Sequence, residues 1–285
     1  MLSLPAMIVY PNAKINIGLW VTGKRPDGFH NIETVFYPVS LSDTLEITLS
    51  GSKEKCVVEC RGMELEKERP ENNLCYRACR LLESVYELPP VSIRLHKRIP
   101  VGAGLGGGSS DGAYTLQALN RLCRLRISDA ELTEYARRLG SDCAFFMQRK
   151  PAWGTGKGDI LQPVELSLAG YRLLLVKPPV FVSTAEAYSS VTPKLPPAHL
   201  PDLLKLPVTE WSRHIDNAFE PSVFSGHPEI GRIKDKMYEA GAVYASMSGS
   251  GSSVYGIFKQ IPAKADKIFD GCFVWHDGQQ SPGTV

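Results

Sequence analysis

The run Pro100-Val101-Gly102-Ala103-Gly104-Leu105-Gly106-Gly107-Gly108-Ser109-Ser110-Asp111 places five glycines within seven positions and follows them with two hydroxyls. Without Cβ atoms, successive backbone N–H groups can turn toward one anion, and the first amides of a following helix add partial positive charge. Such a run is suited to wrapping phosphate. Ser109 and Ser110 stand where their hydroxyls can reach β- or γ-phosphate oxygens, and Ser110 is also a candidate contact for Mg2+. Two kinds of nucleotide fit at this level. Gly102, Gly104 and Gly107 satisfy G-x-G-x-x-G with Asp129 about twenty residues on, as a dinucleotide site requires, whereas the serines favour a nucleoside triphosphate. The loop G-x-x-x-x-G-K-[ST] occurs nowhere, since Gly156-Lys157-Gly158 lacks both the spacing and the hydroxyl.

Phosphoryl transfer also needs positive charge and a group that orients or deprotonates the acceptor. Asp142, in Leu139-Gly140-Ser141-Asp142-Cys143-Ala144-Phe145-Phe146, is a carboxylate ahead of an apolar run and could accept a proton from a substrate hydroxyl. A plain helix cap at Ser141 and Asp142 is the alternative. Lys14 enters an apolar strand in Pro11-Asn12-Ala13-Lys14-Ile15-Asn16, and a buried lysine must meet a carboxylate or phosphate. Beside Asp142 it would keep the carboxylate ionised and polarise the acceptor oxygen; an exposed lysine is the other reading. The run 246–253, Ser-Met-Ser-Gly-Ser-Gly-Ser-Ser, lets backbone approach either a phosphate or a neighbouring loop closely.

The elements that must hold these residues follow from periodicity. Strands are predicted over 7–10, 15–21, 33–39, 44–49 and 56–60, forming a largely antiparallel sheet. A helix over 73–86 and a strand over 91–97 lead into the glycine loop, and a helix bearing Ala113, Leu116, Leu119 and Leu122 leaves it. Ser128-Asp129-Ala130-Glu131 reads as a capping box, which gives Asp129 a local task and weakens the dinucleotide reading. Further on, helices are predicted over 184–190, 228–240 and 263–269, with strands over 171–176, 242–247 and 253–258 and a frayed tail over 277–285. A boundary near 160 divides the chain into an N-terminal lobe, 1–160, and a C-terminal lobe, 161–285.

Composition narrows the partners. Of 285 residues, 43% are apolar, enough for a sizeable core, and the net charge is only +2. Basic residues are dispersed apart from His96-Lys97-Arg98 and Arg137-Arg138, so a small molecule rather than nucleic acid is expected. Seven cysteines without framework spacing point to a reducing compartment, hence the cytoplasm. Cys56 and Cys60 share one strand face and Cys75 and Cys79 one helical turn, which favours packing over a metal site. No apolar run reaches membrane-span length, and the N-terminus lacks the basic flank of a signal peptide.

Taken together and in this order, Pro11-Asn12-Ala13-Lys14-Ile15-Asn16, the run 100–110 and Ser248-Gly249-Ser250-Gly251 resemble the three motifs of the GHMP kinases over nearly the whole chain. The resemblance implies an α+β, two-lobed fold of mixed and antiparallel sheets with helices, the active site between lobes, and an ATP-dependent small-molecule kinase using Mg2+. It puts Lys14 and Asp142 at the reacting oxygen. ATP then falls to Pro100, Gly102, Gly104, Leu105, Gly106, Gly107, Gly108, Ser109 and Ser110, with Asn73, Lys97 and Asp111 near the adenosine. The runs 25–34, 106–110 and 140–142 resemble the branch whose acceptor is a diphosphocytidyl sugar alcohol. This implies a cytosine pocket in which His30 bonds the base edge while Phe29 and Tyr188 stack on its faces, with Asn16, Thr184, Gly249 and Ser250 also on the substrate. Two residues depart from the pattern: Asp111 stands where a small or asparagine-like residue is usual, and Phe29 replaces a tyrosine. The segment 216–220 matches the family's acidic-asparagine segment only in part. A homoserine- or mevalonate-type kinase, a non-catalytic nucleotide-binding protein on the same scaffold and, more distantly, a dinucleotide-dependent oxidoreductase are the alternatives, and monomer or homodimer is left open.

Overall fold

The computed structural model describes residues 5–51, 53–63 and 70–278. Its strands, in chain order, are β1 (Ala6–Val9), β2 (Asn12–Lys24), β3 (His30–Ser42), β4 (Thr44–Leu49), β5 (Cys56–Gly62), β6 (Val91–Lys97), β7 (Ala152–Thr155), β8 (Ile160–Pro163), β9 (Arg172–Lys177), β10 (Tyr244–Met247), β11 (Val254–Phe258) and β12 (Phe273–His276). The helices are α1 (Leu74–Glu83), α2 (Gly107–Leu122), α3 (Asp129–Leu139), α4 (Phe145–Gln148), α5 (Thr184–Ser189), α6 (Leu200–Leu203), α7 (Glu220–Gly226), α8 (Pro228–Glu239) and α9 (Ala265–Ile268). Helices and mixed sheets together make the α+β class.

Three four-stranded sheets result, ordered β1-β4-β6-β5, β2-β3-β7-β8 and β10-β11-β9-β12. Pairing is antiparallel except between β5 and β6, which run parallel because α1 lies between them in the chain and returns β6 in the same direction. In the first sheet, Leu45, Ile47, Val91, Ile93 and Leu95 alternate inward and pack on Cys75, Ala78 and Leu82 of α1 and on Ala113, Leu116 and Leu119 of α2. Asn73 caps α1, its side chain accepting from the Cys75 N–H, and the capping box at Ser128 and Glu131 starts α3 as its sequence requires.

Strand β2 is buried along most of its length. Ala13, Ile15 and Ile17 enter a core shared with Leu173 and Leu175 of β9 and Tyr255 of β11, which leaves Lys14 and Asn16 on the opposite face of the strand. Gly18, at φ +65°, carries a bulge between Ile17 and Leu19, and beyond it the facing is reset: Trp20 points to that same shared core and Leu19 and Val21 to a third cluster with α7 and α8.

Several boundaries differ from the sequence reading. Strand β8 pairs with β7, Ala152 opposite Pro163, so the first sheet-forming half runs on to Pro163 and a division at 160 would cut a hairpin. The C-terminal half holds α6, α7 and a 3-10 stretch at Val208–Arg213 that periodicity did not reveal, each being too short to show a period. The predicted tail begins late: Asp277 is pinned to β9, its Oδ2 accepting from the Leu173 N–H, while 279–285 lie outside the described residues.

Candidate active site

The glycine run turns the chain from β6 into α2, and Gly102, Gly104 and Gly106 hold φ of +61°, +74° and +69°. These are left-handed conformations that glycine adopts without penalty. Strand β2 lies against the loop: the Lys14 N–H donates to the Leu105 carbonyl at 3.0 Å and the Lys14 ammonium to the Gly104 carbonyl at 3.0 Å. From the other side, Ser248 Oγ donates to the same Gly104 carbonyl at 2.9 Å. A Cβ at position 104 would run into the Ser248 carbonyl oxygen, so the two glycine-rich loops touch backbone to backbone.

Lys14 is the junction of the site. Its buried ammonium donates to Asn16 Oδ1 at 2.6 Å and lies 3.4 Å from Asp142 Oδ2. Asp142 sits on a 3-10 turn, Ser141–Ala144, that follows the end of α3, and keeps 32% of its side chain exposed toward a cavity. Asn16 in turn donates to Thr34 Oγ1 at 3.0 Å, and Thr34 Oγ1 donates to the Gly18 carbonyl, which fixes the orientation of the amide.

Two adjoining cavities share Gly102, Gly104 and Gly106. The larger, about 540 Å3, is lined by Lys14, Asn16, Asp142, Phe29, His30, Thr184, Tyr188, Gly249 and Ser250, so the residues expected on the substrate converge with the expected catalytic pair. Within it the aromatic arrangement differs from the expected cage: Tyr188 stacks on the His30 ring itself, centroids 4.8 Å apart and planes 26° from parallel, while Phe29 stands apart and 56% exposed. Burial, helped by the Asp142 charge, pushes the Tyr188 hydroxyl up to about 12, so it stays protonated at neutral pH. Phe181, Lys157 and Ser141 also line this cavity and were not singled out as site residues from sequence.

The smaller cavity, about 340 Å3, is lined by Asn73, Lys97, Pro100, Gly107, Gly108, Ser109 and Asp111 besides the shared glycines. Leu105 and Ser110 line neither cavity. The Leu105 side chain is in the core, and Ser110 Oγ is fully enclosed without a hydrogen-bond partner, so Ser109 rather than Ser110 offers its hydroxyl to the cavity. Lys97 is not a free cation. Its ammonium is buried between Asp43 and Asp111, donating to Asp111 Oδ2 at 2.7 Å, and Asp43 Oδ1 accepts from the N–H groups of Arg98 and Ile99 at 2.5 and 2.8 Å.

The carboxyl of Asp111, the residue that departs from the family pattern, thus turns to Lys97. Burial is the main cause that pushes its carboxyl up to about 8, with Asp43 adding and Lys97 opposing. Burial alone would lower the Lys97 ammonium, but Asp111 and Asp43 reverse this and hold it above its ordinary value.

Residues distant in sequence shape the 248–251 loop. Asn217 Nδ2 donates to the Met247 and Gly249 carbonyls at 2.8 and 2.9 Å, and buried Glu220 accepts from the Met247 N–H at 2.8 Å and from Lys234 at 2.5 Å. The partial match at 216–220 was the one sequence signal for them. Among the described residues no group of three or more His, Cys, Asp or Glu side chains is arranged to hold a metal ion, and the described cysteines are free thiols.

Comparison with known proteins matches residues 73–150 to the GHMP kinases N terminal domain and 201–270 to the GHMP kinases C terminal family. The chain is 54% identical over 268 residues to a 4-diphosphocytidyl-2-C-methyl-D-erythritol kinase of Bacteroides fragilis, covering 94% of this chain and 97% of the relative. To the protein of that name in Parabacteroides distasonis it is 50% identical over 276 residues, covering 96% of this chain and 100% of the relative. A solved 4-(cytidine 5'-diphospho)-2C-methyl-D-erythritol kinase superposes with a TM-score of 0.75 at 31% identity, over 95% of this chain and 98% of that one. A homoserine kinase of Cytophaga hutchinsonii, TM-score 0.67 at 19% identity over 95% and 94% of the two chains, shares the fold.

Proposed function

The chain belongs to the GHMP kinases, among the 4-diphosphocytidyl-2-C-methyl-D-erythritol kinases, and we propose how it works on that premise. It is an ATP-dependent kinase that transfers the γ-phosphoryl group to the 2-hydroxyl of 4-diphosphocytidyl-2-C-methyl-D-erythritol, a step of the non-mevalonate route to isoprenoid precursors. What supports the reading above all is that the Lys14–Asp142 pair faces one cavity with His30, Phe29 and Tyr188, while the glycine loop separates that cavity from a second.

ATP occupies the smaller cavity, its phosphates on the N–H groups of the 102–109 loop and the Ser109 hydroxyl. Asn73 borders the adenosine with its own acceptor already used by the Cys75 N–H, and Lys97 acts as a positioning residue, holding Asp43 and through it the backbone entering the loop. The cytidylyl acceptor occupies the larger cavity, its base among Phe29, His30 and Tyr188 and its sugar alcohol toward Asn16, Thr184, Gly249 and Ser250. Asp142 takes the proton of the 2-hydroxyl as the new O–P bond forms and the bond to ADP breaks. Lys14, 3.4 Å from Asp142, places positive charge between donor and acceptor. Mg2+, when bound, neutralises charge on the phosphate oxygens. The absence of a protein cage among the described residues fits an ion carried by phosphates and water.

We place the protein in the cytoplasm, since its described cysteines are free thiols and no helix among the described residues is long and apolar enough to cross a membrane. Incubation with ATP, Mg2+ and the diphosphocytidyl acceptor, followed by product analysis, is the test: ADP and the 2-phosphate are expected. Transfer to homoserine or mevalonate in place of that acceptor would reassign the substrate, and nucleotide binding without any transfer would remove the enzyme.

A further inference from the structure

Four cysteines meet across one seam, Cys56 and Cys60 of β5 against Cys75 and Cys79 of α1. The seam lies at the edge of the first sheet, where β6 is the only strand paired with β5. The two pairs are engaged differently. Cys60 Sγ accepts from Asn73 Nδ2 at 3.3 Å, and the fully buried Cys75 thiol bonds to Thr115 of α2. Cys56 and Cys79 bond to each other. Cys79 is buried and Cys56 only half-buried, so solvent reaches one sulfur of the pair and a second stands directly behind it.

The bond from Cys79 lowers the Cys56 thiol below its ordinary value, against a smaller opposing effect of burial, and the same bond together with burial raises Cys79. A reachable sulfur with thiolate character is the nucleophile, and the thiol behind it can resolve what the first one forms. We propose that Cys56 and Cys79 are a dithiol oxidation site, which a hydroperoxide closes to a disulfide and a thiol reductant reopens. The Cys56 sulfur attacks the peroxide; its S–O bond forms, the O–O bond breaks, and the departing hydroxide takes up the proton that Cys56 released and leaves as water. The Cys79 sulfur then attacks the Cys56 sulfur, forming the S–S bond and breaking the S–O bond, and the second hydroxide leaves as water with the Cys79 proton. Two thiols are oxidised and one peroxide is reduced. A reducing compartment holds the pair open until the oxidant arrives.

Asn73 spans the same seam, its Nδ2 on Cys60 of β5 and its Oδ1 accepting from the Cys75 N–H of α1 at 2.8 Å, and it lines the smaller cavity. Drawing α1 onto β5 at Cys79 therefore shifts a side chain on the wall of that cavity. This consequence rests on the ATP site assigned above; the thiol chemistry does not.

The full chain, reduced and then treated with hydrogen peroxide, is alkylated and mapped by mass spectrometry. Two fewer of the seven thiols should be alkylated, a Cys56–Cys79 linkage should appear within one chain, dithiothreitol should reverse both, and the oxidised form should melt about 5 °C higher. Cys79→Ser should trap Cys56 as the sulfenic acid, read with a dimedone probe; if that variant fails to fold, the map of the unaltered chain decides. Both thiols still alkylatable, a linkage to Cys60 or Cys75, a linkage between two chains, or Cys56 carried on to the sulfinic acid with Cys79 unlinked overturns the proposal. For activity, the reduced chain must first phosphorylate the diphosphocytidyl acceptor, and failure there strikes the assigned function and not the disulfide. The ATP KM of the oxidised form should then differ by about twofold or more from that of the reduced form with the acceptor KM unchanged, and equal ATP KM values overturn the reach into the ATP cavity.

Discussion

Asp142, one-third exposed beside a buried lysine, is the group we propose to receive the proton of the acceptor hydroxyl. Asp142→Asn is therefore expected to lower kcat about a hundredfold or more, the scale of a lost general base, while the ATP KM hardly moves; steady-state kinetics with each substrate varied will show it. A second residue sets a pH dependence. The folded chain raises the Asp111 carboxyl from 3.8 to about 8, mainly by burial, so between those values the folded state keeps a proton that the unfolded chain has released. The stability this confers is present below about pH 4 and is lost as pH rises through 8. Urea midpoints measured from pH 5 to 8.5 should fall more steeply for the unaltered protein than for Asp111→Asn, and parallel slopes would count against it. At this scale the sequence was uneven. Lys14 was readable because a lysine in an apolar strand must find a counter-charge. Lys97 was not, because its partners lie 54 and 14 residues away and nothing local distinguishes a paired lysine from a ligand contact.

Elements with a full period were legible: β6, α2, α3 with its capping box, and α8 fall where the alternation and the apolar faces put them. The stretch between α5 and α8 was not, since four to seven residues cannot display a helical face and their positions depend on the core they cover. The contact of the two glycine loops was also invisible, as sequence shows that backbone can approach but not what it approaches. That contact gives an expectation at the level of the loop. Gly104→Ala combines a positive φ with a collision against Ser248, so it should cost roughly 1–3 kcal/mol and raise the ATP KM. Thermal unfolding and ATP titration of the variant check it, and a variant as stable and as tight as the parent would show the loops to be separable.

The molecule as a whole does not divide where its two family matches suggest it could. Ala13, Ile15 and Trp20 of β2 share one core with Leu173, Tyr255 and Trp275, so each half of the chain supplies a wall that the other needs. We expect one cooperative transition, with calorimetric and van't Hoff enthalpies equal, and expect 1–163 and 164–285 expressed apart to remain unfolded. A dispersed NMR spectrum from either fragment would disprove this. The α+β GHMP kinase fold was readable from motif order, but the shared core was not, because an apolar strand looks the same whichever half it packs on. One bond carries a last consequence. The Lys14 ammonium that faces Asp142 also donates to the Gly104 carbonyl of the glycine loop, so one side chain touches both the proposed ATP side and the proposed acceptor side of the site. We expect any coupling of donor and acceptor binding to run through this side chain: whatever factor a bound ATP analogue adds to acceptor binding, the acceptor must return to the analogue, and replacing Lys14 should shrink both factors alike.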